Sequence, residues 1–274
     1  MSIITLLFPA FLACLVLTGI HTYLGIHVIT RGVIFVDIAL AQIAALGMIV
    51  ALSLGFSPES QAIYFFGLGF TCLGALFFAY FREEHLPQEA IVGVSFAVSS
   101  ALAVLVANGL PHGSEHIKDI LSGNILWVQW GQILKTAILY SLLGFFHFRF
   151  RKNFLLVSRD AAEAKRQGLK IWFWDLLFYL SFGVVITSSV QMAGILLVFS
   201  FLIVPALCSM LFFQGLQGRI FFGWVIGTLT SVAGIAASYF WDLPTGPAIV
   251  TGFGVALGLC LLYHGGKRLC LRHE

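Results

Sequence analysis

Four residues with metal-binding side chains lie close together in one short polar segment. They are His112, Glu115, His116 and Asp119. On a helix these positions, three, four and seven residues after the first, share one face. Imidazoles and carboxylates are ligands that zinc or manganese accepts. The segment predicts either a loose metal-binding face or a solvated polar face, and Pro111 and Gly113 leave the helical conformation at His112 open.

Two more polar residues, Asp37 and Gln42, interrupt a long apolar stretch. Polar groups inside a membrane usually face the bundle interior, where they line a pathway or pair with one another. Gln42 lies about 16 Å along a helix from Arg31, close to the bilayer midplane. At about 100° per residue, Asp37 and Gln42 point about 140° apart, so one straight helix does not aim both at one ion. The alternatives are an interhelical hydrogen bond for Gln42 and an ion pair with a basic group such as Arg31 for Asp37.

The composition excludes a soluble enzyme. Of 274 residues, 59% are hydrophobic and 10% are charged, whereas soluble domains have roughly 45–50% and about 25%. Disorder is excluded because the apolar content is too high. The chain has a net charge of +3. In a membrane protein the excess of basic residues usually lies in the cytoplasmic loops, so we do not interpret this charge as affinity for nucleic acid.

Nine segments are apolar and long enough to cross a bilayer as helices of about 20 residues. They are Ile3–Ile26, Gly32–Leu54, Ala62–Phe81, Ala90–Ala107, Trp130–Phe148, Ile171–Val190, Met192–Phe213, Ile220–Trp241 and Pro247–Tyr263. The break at Ser188–Gln191 is the weakest, and one long bent helix is the alternative there. The first segment lacks the basic region and cleavage site of a signal peptide, so we expect it to be retained. The sequence predicts an all-α, polytopic membrane protein in which residues 1–274 form a single transmembrane domain.

Basic residues orient these segments. The loop Arg149–Lys170 holds seven Lys or Arg residues against two acidic ones, so it should be cytoplasmic. Alternation of nine spans places the other basic ends on the same side, with the N-terminus outside and the C-terminus in the cytoplasm. Those ends are Arg31, Arg82, Arg219 and the tail with Lys267, Arg268 and Arg272. The turn with Glu84 and His85 also falls on this side and is interpreted as an interfacial turn.

A polar, helix-favouring segment, 158–169, lies within the basic loop. Ser158 or Asp160 is placed to cap its start, and Gly168 to end it. The segment is either a helix that docks into a groove on a partner protein or a solvated linker. The chain has no G-x-x-x-x-G-K-[ST] phosphate loop, so an ATPase that drives transport would be a separate chain.

The segment resembles the coupling segment of the permease subunits of zinc- and manganese-importing ABC transporters, which reads L-L-V-S-F-D-P-E-x-A-x-x-x-G-L. Ser158, Asp160, Ala164 and Gly168 match this pattern, and Arg159 and Ala161 depart from it. Four more stretches resemble the same family in the same order along the chain. They are Leu24–Gly32, Glu89–Gly93, Gly194–Ala206 and Ser238–Pro247. The resemblance covers about the whole chain from Leu24 onward.

The resemblance implies a multi-pass permease of the cell (inner) membrane that imports a divalent metal such as zinc or manganese. It implies a dimer of permease chains, identical or different, on two cytoplasmic ATPases, fed by an extracytoplasmic solute-binding protein. The matching residues Ser158, Asp160, Ala164 and Gly168 would couple the chain to the ATPase. The permease would do no covalent chemistry and bind no cofactor itself, because ATP and magnesium would bind to the ATPase.

The second span departs from the family pattern G-D-A-L-S-H-A-x-L-P-G. Aligned on Gly47, the family's Asp falls on Ile38 and its His on Gln42. An amide oxygen is a poorer zinc ligand than an imidazole, so the usual two-ligand face is missing. A permease of the same fold with a non-metal or chelated cargo is therefore one alternative. A secondary transporter or a scaffold is another, although neither would need a docking helix between spans.

Overall fold

The computed structural model describes residues 3–83, 87–123 and 125–270. Glu84, His85 and Arg272, which entered the orientation argument, lie outside them. All regular structure in the described residues is helical, which confirms the all-α prediction. The helices are α1 Ile3–Arg31, α2 Val36–Ser53, α3 Gln61–Tyr80, α4 Gln88–Ala107, α5 Gly113–Ser122, α6 Trp130–Arg149, α7 Arg151–Arg159, α8 Ala161–Arg166, α9 Ile171–Ala193, α10 Ile195–Phe212, α11 Leu216–Trp241 and α12 Thr245–Cys270.

Eight helices in this part of the chain are long and apolar enough to cross a membrane. They are α1, α2, α3, α4, α9, α10, α11 and α12. The other predicted span corresponds to α6, which qualifies only together with α7, and the two helices are bent by 75°. Gln132, Lys135 and His147 make α6 less apolar than the others. The described residues therefore contain eight spans, or nine if α6 and α7 form one broken span.

The break predicted at Ser188–Gln191 lies instead at Gly194. Helix α9 continues through that stretch to Ala193, and Gly194 has a φ of +79°. The left-handed region favours glycine because it has no Cβ. The two helices are thus separate, as predicted, but the break falls where a glycine permits it.

Hydroxyl side chains at and beside the predicted break form hydrogen bonds with a neighbouring helix, α3. Thr187 Oγ1 donates a hydrogen bond of 3.0 Å to Thr71 Oγ1 of α3. Ser188 Oγ and the Tyr64 hydroxyl, also on α3, share a hydrogen bond of 3.0 Å. Hydroxyl side chains commonly link helices in this way inside a membrane without interrupting them.

The chain divides into two compact units by its internal contacts. One unit comprises Met1–Ile29, Asn124–Ala137 and Leu196–Glu274, and the other comprises Thr30–Gly123 and Ile138–Ile195. We call them unit 1 and unit 2. The expectation that residues 1–274 form a single domain stays a prediction.

Unit 1 is packed through small residues. A Cβ added at Gly25 of α1 would lie 1.9 Å from the Leu202 carbonyl oxygen of α10, and one at Gly227 of α11 would lie 2.5 Å from Thr18 Cγ2 of α1. Because apolar area gives little preference for helix contact over lipid contact, close backbone approach of this kind favours association of membrane helices.

Unit 2 is built around α2, which packs against α3, α4 and α9. Leu46 and Ile49 of α2 form a buried cluster with Ala103 and Ala107 of α4. Apolar side chains of α5, including Ile117, cover one end of this cluster. Helix α2, which carries Asp37 and Gln42, is therefore the central helix of this unit.

The approach of Gly123 to Gly194 in unit 2 gives a first prediction. A Cβ at Gly194 would lie 2.3 Å from the Gly123 nitrogen, and both residues have positive φ. We expect Gly194→Ala to lower the free energy of unfolding by at least about 2 kcal/mol, from the left-handed backbone together with the overlap. Denaturant unfolding of the purified protein in detergent measures this change. Gly144→Ala is the control, because nothing lies within 4 Å of a Cβ there, and equal stability of the two variants would contradict the prediction.

Candidate functional site

The segment predicted as one helix over 158–169 is two helices in the structure. Helix α7 ends at Arg159, and α8 begins at Ala161. The Asp160 carboxylate accepts a hydrogen bond of 2.8 Å from the Glu163 backbone N–H and so caps α8. Ser158, the other predicted cap, lies in the last turn of α7. Gly168 follows α8 with a φ of +83°, as a helix-ending glycine does.

Two of the four coupling candidates face their own chain. Ala164 is fully buried and packs with Val157 and Ile171 in an apolar cluster. Ser158 is buried as well. These residues, with Asp160 and Gly168, give the segment its shape. Asp160 and Gly168 are themselves exposed, and the exposed side chains around them are Arg159, Ala162, Lys165, Arg166 and Gln167.

Aromatic rings attach α7 to α6 and α9. The Phe154 ring of α7 is fully buried and stacks on the His147 ring of α6, with centroids 4.3 Å apart and planes 17° apart. It also meets Trp174 of α9 edge to face at 5.3 Å. At the edge of the His147 ring, Nε2 and Ser181 Oγ of α9 share a hydrogen bond of 2.8 Å. Helix α7 is thus anchored by a ring cluster at its middle.

A buried charge cluster lies at the end of α7. Arg31 Nη1, at the end of α1, donates a hydrogen bond of 2.7 Å to Asp175 Oδ1 of α9. Arg82 Nη1, in the short turn after α3, donates to the same oxygen. The side chains of Arg31 and Asp175 are 1% and 0% exposed, and that of Arg82 is 14% exposed. Two guanidinium groups therefore share one carboxylate oxygen in an apolar setting.

Each arginine of this cluster also reaches α7. Arg31 Nε donates a hydrogen bond of 2.9 Å to Ser158 Oγ. Arg82 Nη2 donates one of 3.2 Å to the Val157 carbonyl oxygen. The Arg31 guanidinium also lies 3.8 Å from the centre of the Phe178 ring, a favourable cation–π distance. The cluster therefore joins the ends of α1, α3 and α9 to the two residues of α7 that precede Arg159.

Arg31 therefore pairs with Asp175, and the alternative in which it pairs with Asp37 is wrong. The signal that could have identified the pair is a single acidic residue, Asp175, near the start of a span. That end of the span is on the same predicted side as the arginines Arg31 and Arg82, which follow two other spans. Such a carboxylate needs a cationic partner within the apolar region.

Asp37 is the second residue of α2 and is buried. Its Oδ1 accepts a hydrogen bond of 2.7 Å from the Ile38 N–H. Its Oδ2 has no hydrogen-bond partner among the residues that the structure describes. Gln42 is 9% exposed on the same helix, and its five-residue separation from Asp37 turns the two side chains about 140° apart. Their role in a pathway stays a prediction.

The external candidates are only partly brought together. His112 precedes α5 with a φ of 58° and is not part of the helix that carries Glu115, His116 and Asp119. His112 Nδ1 lies 3.1 Å from Glu115 Oε2, and both side chains are mostly exposed. Within the described residues, no group of three or more His, Cys, Asp or Glu side chains could hold a metal ion. A role of these residues as a metal relay stays a prediction.

Comparison with known proteins gives the family. The model of the ABC 3 transport family matches residues 3–263. The chain is 25% identical to a "Probable iron transport system membrane protein" of Haemophilus influenzae over 85% of this chain and 81% of that protein. It is 26% identical to the manganese transport system membrane protein MntC of Listeria monocytogenes, over 83% and 79%.

The fold agrees with a solved relative. The structure titled "PsaBC from Streptococcus pneumoniae in complex with Fab" contains a chain that superposes with a TM-score of 0.79 at 23% identity, over 93% of this chain and 91% of that one. As the membrane component of an ABC transporter, a permease works with ATPase and binding-protein partners. This chain belongs to the ABC 3 transport family and is the multi-pass membrane permease of an ABC-type transport system.

Proposed function

We propose that this permease carries a divalent metal ion across the inner membrane into the cytoplasm. The family match over residues 3–263 carries this proposal. Relatives named for iron and for manganese transport, each over four fifths or more of this chain, support metal as the class of cargo. No covalent chemistry is required of the permease, because ATP and magnesium bind to the separate ATPase.

Manganese fits this chain better than zinc. Zinc is commonly held by imidazole or thiolate, whereas amide and carboxylate oxygens suit manganese. The polar side chains of the central helix α2, Asp37 and Gln42, are both oxygen donors. Gln42 lies at the predicted midplane and is almost fully buried. We therefore propose that Gln42 lines the pathway and contacts manganese without holding it tightly.

The docking surface for the ATPase is the exposed face of α7 and α8. It consists of Arg159, Ala162, Lys165, Arg166 and Gln167, all exposed. Their positive charge is consistent with a cytoplasmic position, which in turn supports an N-terminus outside and a C-terminus in the cytoplasm. A second permease chain, identical or different, completes the transporter.

A second candidate cargo is a chelated metal or a small non-metal solute. Ile38 and Gln42 occupy the positions of the two ligands in the family's pattern, and this observation favours it. A cargo that arrives with its own ligands would need only polar contacts from the pathway and no complete coordination sphere from the protein.

The orientation is tested by labelling from each side of the membrane. In a background with the native cysteines replaced, we expect Lys165→Cys to react with an impermeant maleimide only from the cytoplasmic face. Glu115→Cys should react only from outside. Both positions are exposed, so poor access to the side chain does not confuse the result. Labelling of both from the same face would contradict the proposed topology.

The docking face is tested by Ala162→Glu. We expect the amount of ATPase that copurifies with the permease to fall about tenfold, because a charge in a packed contact is costly unless it is paired. Ala164→Glu is not a clean test, since Ala164 is buried within the chain itself. Ser114→Glu, on the exposed face of α5, is the matched control. If the amount of copurified ATPase is undiminished in Ala162→Glu, this face does not dock on the ATPase.

The pathway is tested by uptake of manganese, zinc and iron into liposomes that hold the complete transporter. We expect Gln42→Ala to lower manganese uptake about tenfold, the effect of losing about 1.4 kcal/mol of favourable contact along the path. The double change Ile38→Asp, Gln42→His restores two ligands four residues apart on one face, and should raise zinc occupancy.

The control for Gln42→Ala is Ser95→Ala in α4, whose hydroxyl donates a hydrogen bond to the Ile91 carbonyl oxygen one turn away in the same helix. Full manganese uptake by Gln42→Ala would show that Gln42 does not line the pathway. Loss of uptake for all three metals, with no zinc gain in the double variant, would favour the chelated or non-metal cargo.

A further inference from the structure

We call α7 and α8 together the docking segment. Hydrogen bonds hold the end of α7, whereas apolar and aromatic contacts hold the rest of this segment. Ala164 of α8 and Phe154 of α7 pack in apolar and aromatic clusters. Contacts of these kinds depend less on exact distance and angle than hydrogen bonds from a charged group do. At the end of α7, by contrast, two arginines donate hydrogen bonds to neighbouring residues, Val157 and Ser158. Hydrogen bonds from a charged group depend on distance and angle.

The same two arginines converge on Asp175. Because Asp175 Oδ1 accepts from both Arg31 and Arg82, the ends of α1 and α3 are fixed to the start of α9 through a single atom. The residues that they contact on α7 stand two and three positions before Asp160, which caps α8. A shift of the last turn of α7 by an ångström must therefore move the helix ends that carry Arg31 and Arg82 or break charged hydrogen bonds in an apolar environment.

Stability alone does not require this arrangement. Buried ion pairs often add little net stability, because removing the charges from water offsets their attraction. This cluster holds two cations and one anion, and part of the excess charge is met by the Phe178 ring, 3.8 Å from the Arg31 guanidinium. The second arginine adds a second link from the spans to α7, which a one-to-one pair would not supply.

We propose that Arg82, together with Arg31 and Asp175, acts as a positioning residue for transport, since it transmits movement of the docking segment to α1, α3 and α9. The proposal rests on the docking of α7 and α8 on the ATPase. It assigns to the charge cluster a role that the apolar contacts of the segment do not have. Loss of the cluster should therefore leave ATP hydrolysis intact and separate it from movement of the cargo.

The test uses the complete transporter in liposomes, with ATP hydrolysis and manganese uptake measured on the same preparation. Arg82→Met removes both the contact to Asp175 and the contact to Val157. We expect about a tenfold fall in manganese taken up per ATP hydrolysed, the order of effect of losing one charged hydrogen bond, with hydrolysis within about twofold of the native rate. Arg82→Lys keeps the charge beside Asp175 and should restore part of the uptake per ATP.

Two further variants complete the design. Ser158→Ala removes the hydroxyl that accepts from Arg31 Nε and leaves every charge in place, so it provides a test even if Arg82→Met does not fold. It should lower uptake per ATP by a smaller factor than Arg82→Met. Arg219→Met is the matched control, because Arg219 also donates to a helix-end carbonyl oxygen, that of Phe213, but does so in unit 1. Unchanged uptake per ATP is expected for this control.

Unchanged uptake per ATP in both Arg82→Met and Ser158→Ala would overturn the proposal. So would a parallel fall of hydrolysis, uptake and complex yield without rescue by Arg82→Lys, because that pattern is expected of a purely structural cluster.

A readout that does not depend on cargo separates this proposal from the proposed function. Spin labels at Lys165 of α8 and Phe173 of α9, both exposed, report the distance between the docking segment and the span. On ATP binding we expect this distance to stay constant in the native transporter and to change in Arg82→Met. If native liposomes take up no manganese, the proposed cargo fails, and the distance measurement still decides the role of the cluster. An equal response in native protein and variant would overturn that role.

Discussion

A carboxylate in an apolar interior is stable only beside compensating charge, and Asp175 meets this condition through two arginines that come from distant parts of the chain. Arg31 ends α1, and Arg82 follows α3. This constraint fixes the start of α9 relative to the ends of α1 and α3, because Asp175 must lie where both guanidinium groups reach one oxygen. The other nitrogens of these guanidinium groups donate hydrogen bonds to Ser158 and Val157, and these bonds fix the last turn of α7.

Both units hold helices together through small residues and polar links. In unit 1, Gly25 and Gly227 let helix backbones approach closely, and Trp224 Nε1 of α11 donates a hydrogen bond of 3.0 Å to the Gly19 carbonyl oxygen of α1. In unit 2, the polar links include the Thr187–Thr71 bond and the charge cluster around Asp175. Inside a membrane such links stabilise one register of two helices over others, because apolar surface alone distinguishes helix contact poorly from lipid contact.

The docking segment also shows why a matching motif and a contact surface are different things. Asp160 and Gly168 begin and end α8, and Ala164 packs inward against Val157 and Ile171. These positions are restricted by the fold of the segment itself. The exposed positions, such as Ala162 and Lys165, are free of that restriction and are available to a partner.

The sequence by itself determined the class of protein, the number of spans to within one, and the terminal glycine of α8, and it limited the cap of that helix to Ser158 or Asp160. Those features depend on composition, on apolar run length and on contacts within a few residues, and all of these are local. Only the tertiary structure decided that Arg31 pairs with Asp175, 144 residues away, and not with Asp37 nearby. It also decided that Ala164 faces inward and that the break before α10 falls at Gly194. Each of these depends on which helices lie side by side, and helical periodicity does not specify the neighbour that a given face will meet.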